Sequence, residues 1–166
     1  MMNYKRFIKF GKGKKGDISP LLKNKKAFRS AIEEMARPFF GEKIDKVVGI
    51  EARGFIFAGV IAYLLGAGVV MVRKTGGLPL AVLQEKCVDY TGKEKILEIR
   101  KGVIKKGERA LIVDDWFETG AQAKVTAKMI KKLGGIIAGF SVFIDNTTPE
   151  AKKFLSKYKY HYLVRI

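Results

Sequence analysis

Residues 110–122 read Ala-Leu-Ile-Val-Asp-Asp-Trp-Phe-Glu-Thr-Gly-Ala-Gln. Four apolar residues lead into two adjacent carboxylates, and a short loop then ends in Thr-Gly-Ala where a helical pattern begins. The apolar run predicts a buried strand, and the free N–H groups at the start of the following helix offer a phosphate site. The stretch therefore predicts a strand, a ligand-binding loop and a helix, in that order.

The residue types in this stretch suit a sugar phosphate. Gly120 and Ala121 allow a phosphate to approach the backbone, and Thr119 and Gln122 add side-chain donors. The acid pair, Asp114–Asp115, can accept hydrogen bonds from two neighbouring ribose hydroxyls. An acid pair before a helix also occurs without any functional role, so other parts of the chain must support the interpretation.

Outward from this stretch, strand and helix patterns alternate. Predicted strands cover residues 46–51, 68–73, 109–115, 136–145 and 160–165. Predicted helices cover residues 24–40, 54–65, 121–133 and 149–158, and a polar stretch at 81–99 holds short strand-like pieces. This alternation predicts an α/β fold in which helices flank a parallel sheet on both faces. Ligands of such sheets bind beyond the carboxyl ends of the strands.

Charge is the unusual bulk property of the chain. Its 166 residues include 33 Lys and Arg against 16 Asp and Glu, a formal net charge of +17. Such a field attracts polyanions, either nucleic acid or a small phosphorylated substrate, although a lysine-rich surface with no such role has the same composition. The length predicts one domain.

Two further features bear on location. The longest apolar run, at 55–65, is bracketed by arginines and followed by glycines, so we expect a buried helix and strand and no membrane span. The N-terminus lacks the apolar core and cleavage site of a signal peptide, and Cys87 is the single cysteine. We therefore expect a cytoplasmic protein without internal disulfides.

The 110–122 stretch resembles the signature of the type I phosphoribosyltransferases. That signature has an apolar strand, two acids, a few variable residues and then Thr-Gly-Gly-Thr, and this chain departs from it at Ala121 and Gln122. Further segments resemble the adenine phosphoribosyltransferases of that family, in the same order along the chain. They are residues 16–22, 48–55, 72–79 and 97–99.

The resemblance implies a fold and an activity. The fold is the type I phosphoribosyltransferase fold, a parallel sheet flanked by helices in one domain of residues 1–166. Its small hood is formed by about 1–20 and by a mobile loop at about 76–99. The activity is transfer of phosphoribosyl from 5-phosphoribosyl-1-pyrophosphate to a free purine, with adenine favoured, and with Mg²⁺ bound mainly through the substrate pyrophosphate. The family also implies a homodimer.

Two other functions stay open at this point. In the first, the chain is still a phosphoribosyltransferase, but its substrate is a 6-oxopurine or another base. In the second, the chain is a non-catalytic regulator that senses phosphoribosyl pyrophosphate and binds nucleic acid. The charge supports the regulator, but the nearly complete pyrophosphate motifs and the lack of a recognisable DNA-binding module oppose it.

The resemblance assigns the candidate site residues. We expect catalysis from Asp89, Glu118, Asp114 and Asp115, and no dedicated protein metal ligands. We expect substrate binding by residues at three predicted strand ends. They are Glu51, Ala52, Arg53, Arg73, Lys74, Asp114, Asp115, Trp116, Phe117, Thr119, Gly120, Ala121 and Gln122.

Departures from the family pattern cluster around base recognition. Lys15 and Gly16 stand where the family has an aromatic residue and an arginine, and Asp89 precedes Tyr90 where the family has a glutamate. In the related hypoxanthine-guanine phosphoribosyltransferases, the signature position that corresponds to Glu118 is an aspartate that reaches the base. Glu118 is therefore a candidate for proton transfer, which would favour a 6-oxopurine, but a solvent-facing charge near a helix N-terminus is the plain alternative. Trp116 or Phe117 is a candidate for the missing flat wall beside the base.

Overall fold

The computed structural model describes residues 2–11, 16–88 and 92–166. The strands are β1 (Lys9–Phe10), β2 (Gly16–Asp17), β3 (Lys46–Ile50), β4 (Gly68–Lys74), β5 (Val82–Val88), β6 (Glu94–Arg100), β7 (Arg109–Phe117), β8 (Ile136–Asp145) and β9 (Tyr160–Arg165). The helices are α1 (Ser19–Leu22), α2 (Lys25–Ala36), α3 (Gly54–Leu65), α4 (Ala121–Lys132) and α5 (Pro149–Leu155), with short 3-10 helices at Tyr4–Phe7 and Arg37–Phe39.

A seven-stranded sheet forms the centre of the molecule, in the order β5-β6-β4-β3-β7-β8-β9. Strands β4, β3, β7, β8 and β9 run parallel to one another. β6 pairs antiparallel with β4 and with β5. β1 and β2 form a separate antiparallel pair. The predicted α/β fold with a largely parallel sheet is confirmed, with an antiparallel extension at one edge.

Helices cover both faces of this sheet because its strands are apolar on both sides. On β7, Leu111 and Val113 face a core that also contains apolar residues of α2 and α3. Ala110 and Ile112 of the same strand face a second core with apolar residues of α4 and α5. A parallel strand that is buried on both faces has a continuous apolar run, and residues 110–113 are such a run.

The structure corrects several predicted boundaries. The 81–99 stretch is not a set of short pieces, because β5 and β6 each pair over seven residues. β7 continues two residues beyond its predicted end, since Trp116 and Phe117 still pair with β8. α2 ends at Ala36, and Pro38, which has no N–H to donate, lies in a 3-10 turn. α5 ends at Leu155, three residues before the predicted end.

One glycine lets α3 begin directly beside the end of β7. A Cβ atom at Gly54 would lie 2.7 Å from Asp114 Oδ1 and 3.2 Å from the Val113 carbonyl oxygen. By contrast, a Cβ atom at Gly59 on the same helix would meet nothing within 4 Å. The absence of a side chain at Gly54 therefore brings the β3–α3 turn close to the acid pair.

We expect Gly54→Ala to lower the free energy of unfolding by about 1–3 kcal/mol, because the new methyl group overpacks this junction. Gly59→Ala is the matched control and should raise the free energy of unfolding by about 0.5–1 kcal/mol, since alanine is favoured inside a helix. Chemical denaturation measures both. Equal effects of the two substitutions would show that the close approach at Gly54 is unimportant.

Candidate active site

Loops from three adjacent parallel strands meet at one edge of the sheet. The turn after β3, the end of β4 and the loop after β7 lie side by side because these strands run in the same direction. They border a cavity of about 450 Å³. Its lining residues are Gly16, Asp17, Glu51, Ala52, Arg53, Lys74, Lys95, Asp114, Asp115, Trp116, Phe117, Glu118, Thr119, Gly120, Ala121, Gln122 and Ala123.

The acid pair lies at the floor of this cavity. Asp114 and Asp115 are both buried, and the Asp114 Oδ1 atom accepts a hydrogen bond from the Asp115 amide at 2.8 Å. Burial, and then the neighbouring charge of Asp115, raise the pKa of Asp114 well above its ordinary value. A carboxyl group that is costly to ionise in the free protein is thus placed where a ligand's hydroxyl groups can reach it.

Arg53 joins two walls of the cavity. Its Nη2 atom forms an ion pair with Asp115 Oδ2 at 2.8 Å, and its Nη1 atom donates to the Gly16 carbonyl oxygen at 2.9 Å. One guanidinium group therefore ties the turn after β3 both to the end of β7 and to the N-terminal segment. A planar guanidinium with several donors suits such a junction better than a lysine would.

Glu51 holds the end of β4 against the turn after β3. Its Oε2 atom accepts a hydrogen bond from the Lys74 amide at 2.9 Å and contacts Arg73 Nε at 3.3 Å. Arg73 also donates from Nη1 to the Gly77 carbonyl oxygen at 2.6 Å and does not line the cavity. The Arg73 guanidinium thus binds groups of the protein itself, namely Glu51 and the Gly77 carbonyl oxygen, whereas Lys74 borders the cavity.

The loop after β7 has the shape expected of a phosphate site. Gly120 adopts a φ of 68°, and a Cβ atom there would lie 2.7 Å from the Ala151 Cβ atom, so both conformation and space require glycine. α4 begins at Ala121, whose N–H group donates to Thr119 Oγ1 at 3.3 Å, and Gly120 has no side chain to cap the other first N–H groups. Those groups point toward the cavity end of the helix and favour an anion there.

The two aromatic residues after the acids have different surroundings. Phe117 is 2% exposed, and its ring stacks on Tyr160 and meets Phe140 edge-on. Trp116 lies against the N-terminal segment, with the Phe10 ring 6.3 Å away. A Cβ atom at residue 16 would lie 3.0 Å from Trp116 Cζ3, so the indole occupies space that any larger residue at that position would need.

The remaining candidates also have defined places. Glu118 is half-buried and lines the cavity, and its carbonyl oxygen accepts from the Thr148 amide at 3.2 Å. Asp89 and Tyr90 lie outside the described residues. Residues that sequence reasoning missed include Asp17 and Lys95. Lys95 reaches the cavity from β6, and only the long-range pairing of that strand reveals it.

Within residues 2–11, 16–88 and 92–166, no group of three or more His, Cys, Asp or Glu side chains is arranged to hold a metal ion. Over the same part of the chain, no helix is both long and apolar enough to cross a membrane. Cys87, the single cysteine of the chain, is a buried thiol.

Comparison with known proteins identifies the class. The model of the phosphoribosyl transferase domain family matches residues 17–164, nearly the whole chain. The chain belongs to this family, and its fold and strand-end loops are those of a phosphoribosyltransferase.

Individual relatives narrow the similarity. The chain is 42% identical to an adenine phosphoribosyltransferase of Brachyspira hyodysenteriae over 148 residues, which cover 89% of this chain and 86% of that protein. The structure of adenine phosphoribosyltransferase from Rhodothermus marinus matches with a TM-score of 0.88 and 33% identity, over 98% of this chain and 96% of the other. The Saccharomyces cerevisiae enzyme, solved with an imino-altritol bisphosphate and adenine, matches with a TM-score of 0.81 and 26% identity, over 96% and 94% of the two chains.

The raised pKa of Asp114 predicts how the free energy of unfolding depends on pH. Between the ordinary carboxyl pKa and the higher folded pKa, the folded protein holds a proton that the unfolded chain has released, so wild-type stability falls as pH rises through that window. Asp114→Asn cannot ionise, so its free energy of unfolding should exceed that of the wild type by more at pH 7 than at pH 4.

Denaturant titration at the two pH values measures this difference. Glu33→Gln, which neutralises an exposed carboxylate in an α2 ion pair, is the control and should show no such gain at pH 7. An Asp114→Asn variant that is less stable than the wild type at pH 7 would show that ionised Asp114 stabilises the fold.

Proposed function

We propose that this phosphoribosyltransferase transfers the 5-phosphoribosyl group of 5-phosphoribosyl-1-pyrophosphate to free adenine, giving the nucleoside monophosphate and pyrophosphate in purine salvage. One observation carries the proposal: the acid pair, the 119–122 loop and the turn after β3 border a single cavity. The relatives named adenine phosphoribosyltransferase support adenine as the base.

The three loops suit the three parts of the sugar substrate. The start of α4 and the 119–122 loop would bind the 5′-phosphate, and Asp114 and Asp115 would accept hydrogen bonds from the two ribose hydroxyls. Ala52, Arg53 and Lys74 would surround the pyrophosphate, with Glu51 and Arg73 holding these two strand ends together. This division assigns a task to each charged loop at the edge of the sheet.

The chemistry follows from this placement. A base nitrogen donates its electron pair to C1′ of the ribose while the bond from C1′ to the pyrophosphate oxygen breaks, and the base gives up a proton. Positive charge develops on the ribose, and the buried carboxylates of the acid pair would stabilise that charge. Bound Mg²⁺ would be held mainly by the pyrophosphate and would supply charge neutralisation on the leaving group.

A base panel tests the proposal. We expect Mg²⁺-dependent turnover of phosphoribosyl pyrophosphate, with adenine giving the highest kcat/KM and hypoxanthine and guanine much lower values. The double variant Asp114→Asn, Asp115→Asn should lose roughly two to four orders of magnitude in kcat/KM, because each hydrogen bond to a charged group contributes about 1.5–3 kcal/mol. The double variant should remain folded by circular dichroism.

Three results would contradict parts of the proposal. Failure of every base, together with no calorimetric binding of phosphoribosyl pyrophosphate, would remove the enzymatic function. A 6-oxopurine as the best substrate would replace adenine by the alternative base. An unchanged kcat/KM in the folded double variant would remove the acid pair from the site.

We propose that Trp116 forms the wall against which the base stacks. Gly16 and Trp116 act together here, because a Cβ atom at residue 16 would lie 3.0 Å from the indole and 2.6 Å from Ile8, so the glycine leaves room for the ring. Phe10, 57% exposed and edge-on to Trp116, extends the same apolar wall. Phe117 is left to the core, where its ring is already packed.

Trp116→Leu should raise the KM for adenine by about ten-fold or more, since base–aromatic stacking is worth about 1–3 kcal/mol. The KM for phosphoribosyl pyrophosphate should stay unchanged, and Trp116→Phe, which keeps a flat ring, should retain most of the affinity for adenine. Steady-state kinetics measures both constants. An equal rise in the two KM values for Trp116→Leu would indicate a general disturbance of the cavity.

We also propose that Glu118 handles the proton that the base releases. It stands in the chain between Trp116 and the 119–122 loop, and it lines the cavity. Glu118→Gln should lower kcat with little change in the KM for phosphoribosyl pyrophosphate, and should flatten the pH dependence of kcat. Glu150→Gln, on α5 outside the cavity, is the matched control and should keep the wild-type rate. A wild-type rate for Glu118→Gln at all pH values would leave Glu118 as a charge near the helix start and make Asp89 the better candidate.

The assembly is proposed from an apolar face. α3 and β4 expose several large apolar side chains on neighbouring elements: Ile56, Val60, Tyr63, Leu64, Val69 and Met71. Tyr63 is 85% exposed, which is unusual for a residue in so apolar a segment. We propose that a second copy of the chain covers this face in a homodimer.

The family pattern supports two further proposals. We propose that the chain is one domain whose small hood consists of residues 1–20 with the 76–99 segment, which closes over the bound substrates. We propose a cytoplasmic location, which is consistent with a single buried cysteine.

A further inference from the structure

The outer face of α4 carries a second, lysine-lined cavity. Its volume is about 440 Å³, and its lining residues are Lys124, Ala127, Lys128, Lys131, Lys132 and Phe154. None of these residues lines the substrate cavity. We call this region the α4 lysine surface.

Aromatic rings lie among these lysines. The Lys124 Nζ atom is 5.9 Å from the centre of the Phe154 ring, and the Lys131 Nζ atom is 5.3 Å from the centre of the Tyr158 ring. Lys131 also donates to the Tyr158 hydroxyl at 2.7 Å. Both rings are half-buried and pack against the core on one side, so part of each ring is exposed beside the lysines.

Part of the charge on this face is already neutralised. Glu85 of β5 forms ion pairs with Lys128 at 2.7 Å and with Lys132 at 2.5 Å. Glu150 interacts electrostatically with Lys124. Exposed Lys152, Lys153 and Lys157 follow on and after α5, so the surface as a whole remains strongly positive.

We propose that the α4 lysine surface binds single-stranded nucleic acid. Lysines at intervals along the helix suit successive phosphates, and the rings of Phe154 and Tyr158 suit unpaired bases, which is the combination that single strands require. Lys124 and Lys131 lie about 10 Å apart along the helix axis, a spacing that a few nucleotides bridge. α4 and α5 expose no large apolar residue that would insert into a lipid surface.

This function goes beyond base salvage and is independent of it. An enzyme that uses this surface would bind RNA or single-stranded DNA along the side of α4 while its substrate cavity, at the start of α4, stays accessible. The net charge of +17 would strengthen the first encounter with any polyanion, whereas the α4 lysine surface would fix where the strand lies.

Fluorescence anisotropy with a labelled 12-nucleotide single-stranded RNA, over a range of salt concentrations, tests the proposal. The variant Lys124→Gln, Lys131→Gln should bind more weakly at low salt, and its plot of log K against log salt should be shallower by about 1.4, since each lost phosphate contact on a single strand contributes about 0.7. The control Lys25→Gln, Lys26→Gln removes the same charge from α2, on the opposite face of the sheet, and should keep the wild-type slope.

The outcomes separate the explanations. Equal weakening by both variants would show diffuse attraction by the whole surface and would overturn the proposal, as would wild-type binding by the Lys124→Gln, Lys131→Gln variant. A mononucleotide that competes as well as the 12-mer would replace nucleic acid by a nucleotide site. All variants should keep the wild-type kcat with adenine at saturating substrates, so a loss of salvage activity and a loss of RNA binding are distinguishable.

Discussion

The parallel pairing of β7 with β3 is the constraint on which the site depends. Val47, Val48 and Gly49 of β3 lie beside Leu111, Ile112 and Val113 of β7, so the two strands end at the same edge of the sheet. This register brings the turn after β3 within reach of the acid pair, and Gly54 removes the atom that would keep them apart. A shift of one residue would exchange the side chains that β7 presents to the two cores and would move the acid pair relative to the turn after β3.

The same arrangement places an unfavourable charge at the centre of the site. Two adjacent buried carboxylates oppose each other's ionisation, and Arg53 compensates only Asp115 directly. Ionising both acids in the folded protein is therefore costly, and a ligand that offers hydroxyl donors and developing positive charge would favour their ionised form. Preorganised charge of this kind favours the transition state over the free substrate.

The sequence predicted those elements whose signal is local. Helix 54–65 and strands 136–145 and 160–165 match α3, β8 and β9, because each is rich in apolar or aromatic residues, and glycines stand at both limits of 54–65 and precede 136–145. The position of the acid pair and the 119–122 loop followed from the same local pattern. β7 extended to Phe117 because β8 continues beside it, which no pattern within β7 reveals.

The features that the sequence did not predict depend on contacts between residues far apart in the chain. The pairing of β5 with β6, the reach of Lys95 into the cavity and the bond from Arg53 to Gly16 each join residues whose proximity depends on the complete fold. Arg73 shows the same limit, since its predicted pyrophosphate contact has to compete with Glu51 and the Gly77 carbonyl oxygen. The sequence proposed Trp116 or Phe117 for the wall beside the base, and only the folded chain distinguishes them, because Phe117 is packed in the core and Trp116 lies beside Gly16, 100 residues away along the chain.

The central claim is that the sugar phosphate and the base meet at the end of β7, and the single tryptophan of the chain reports on it directly. Titration with adenosine monophosphate, followed by Trp116 fluorescence and in parallel by calorimetry, measures whether the base reaches this wall. The account predicts a saturable change in emission with the calorimetric affinity, and a much smaller change with ribose 5-phosphate. Calorimetric binding of the nucleotide that leaves Trp116 emission unchanged would contradict it.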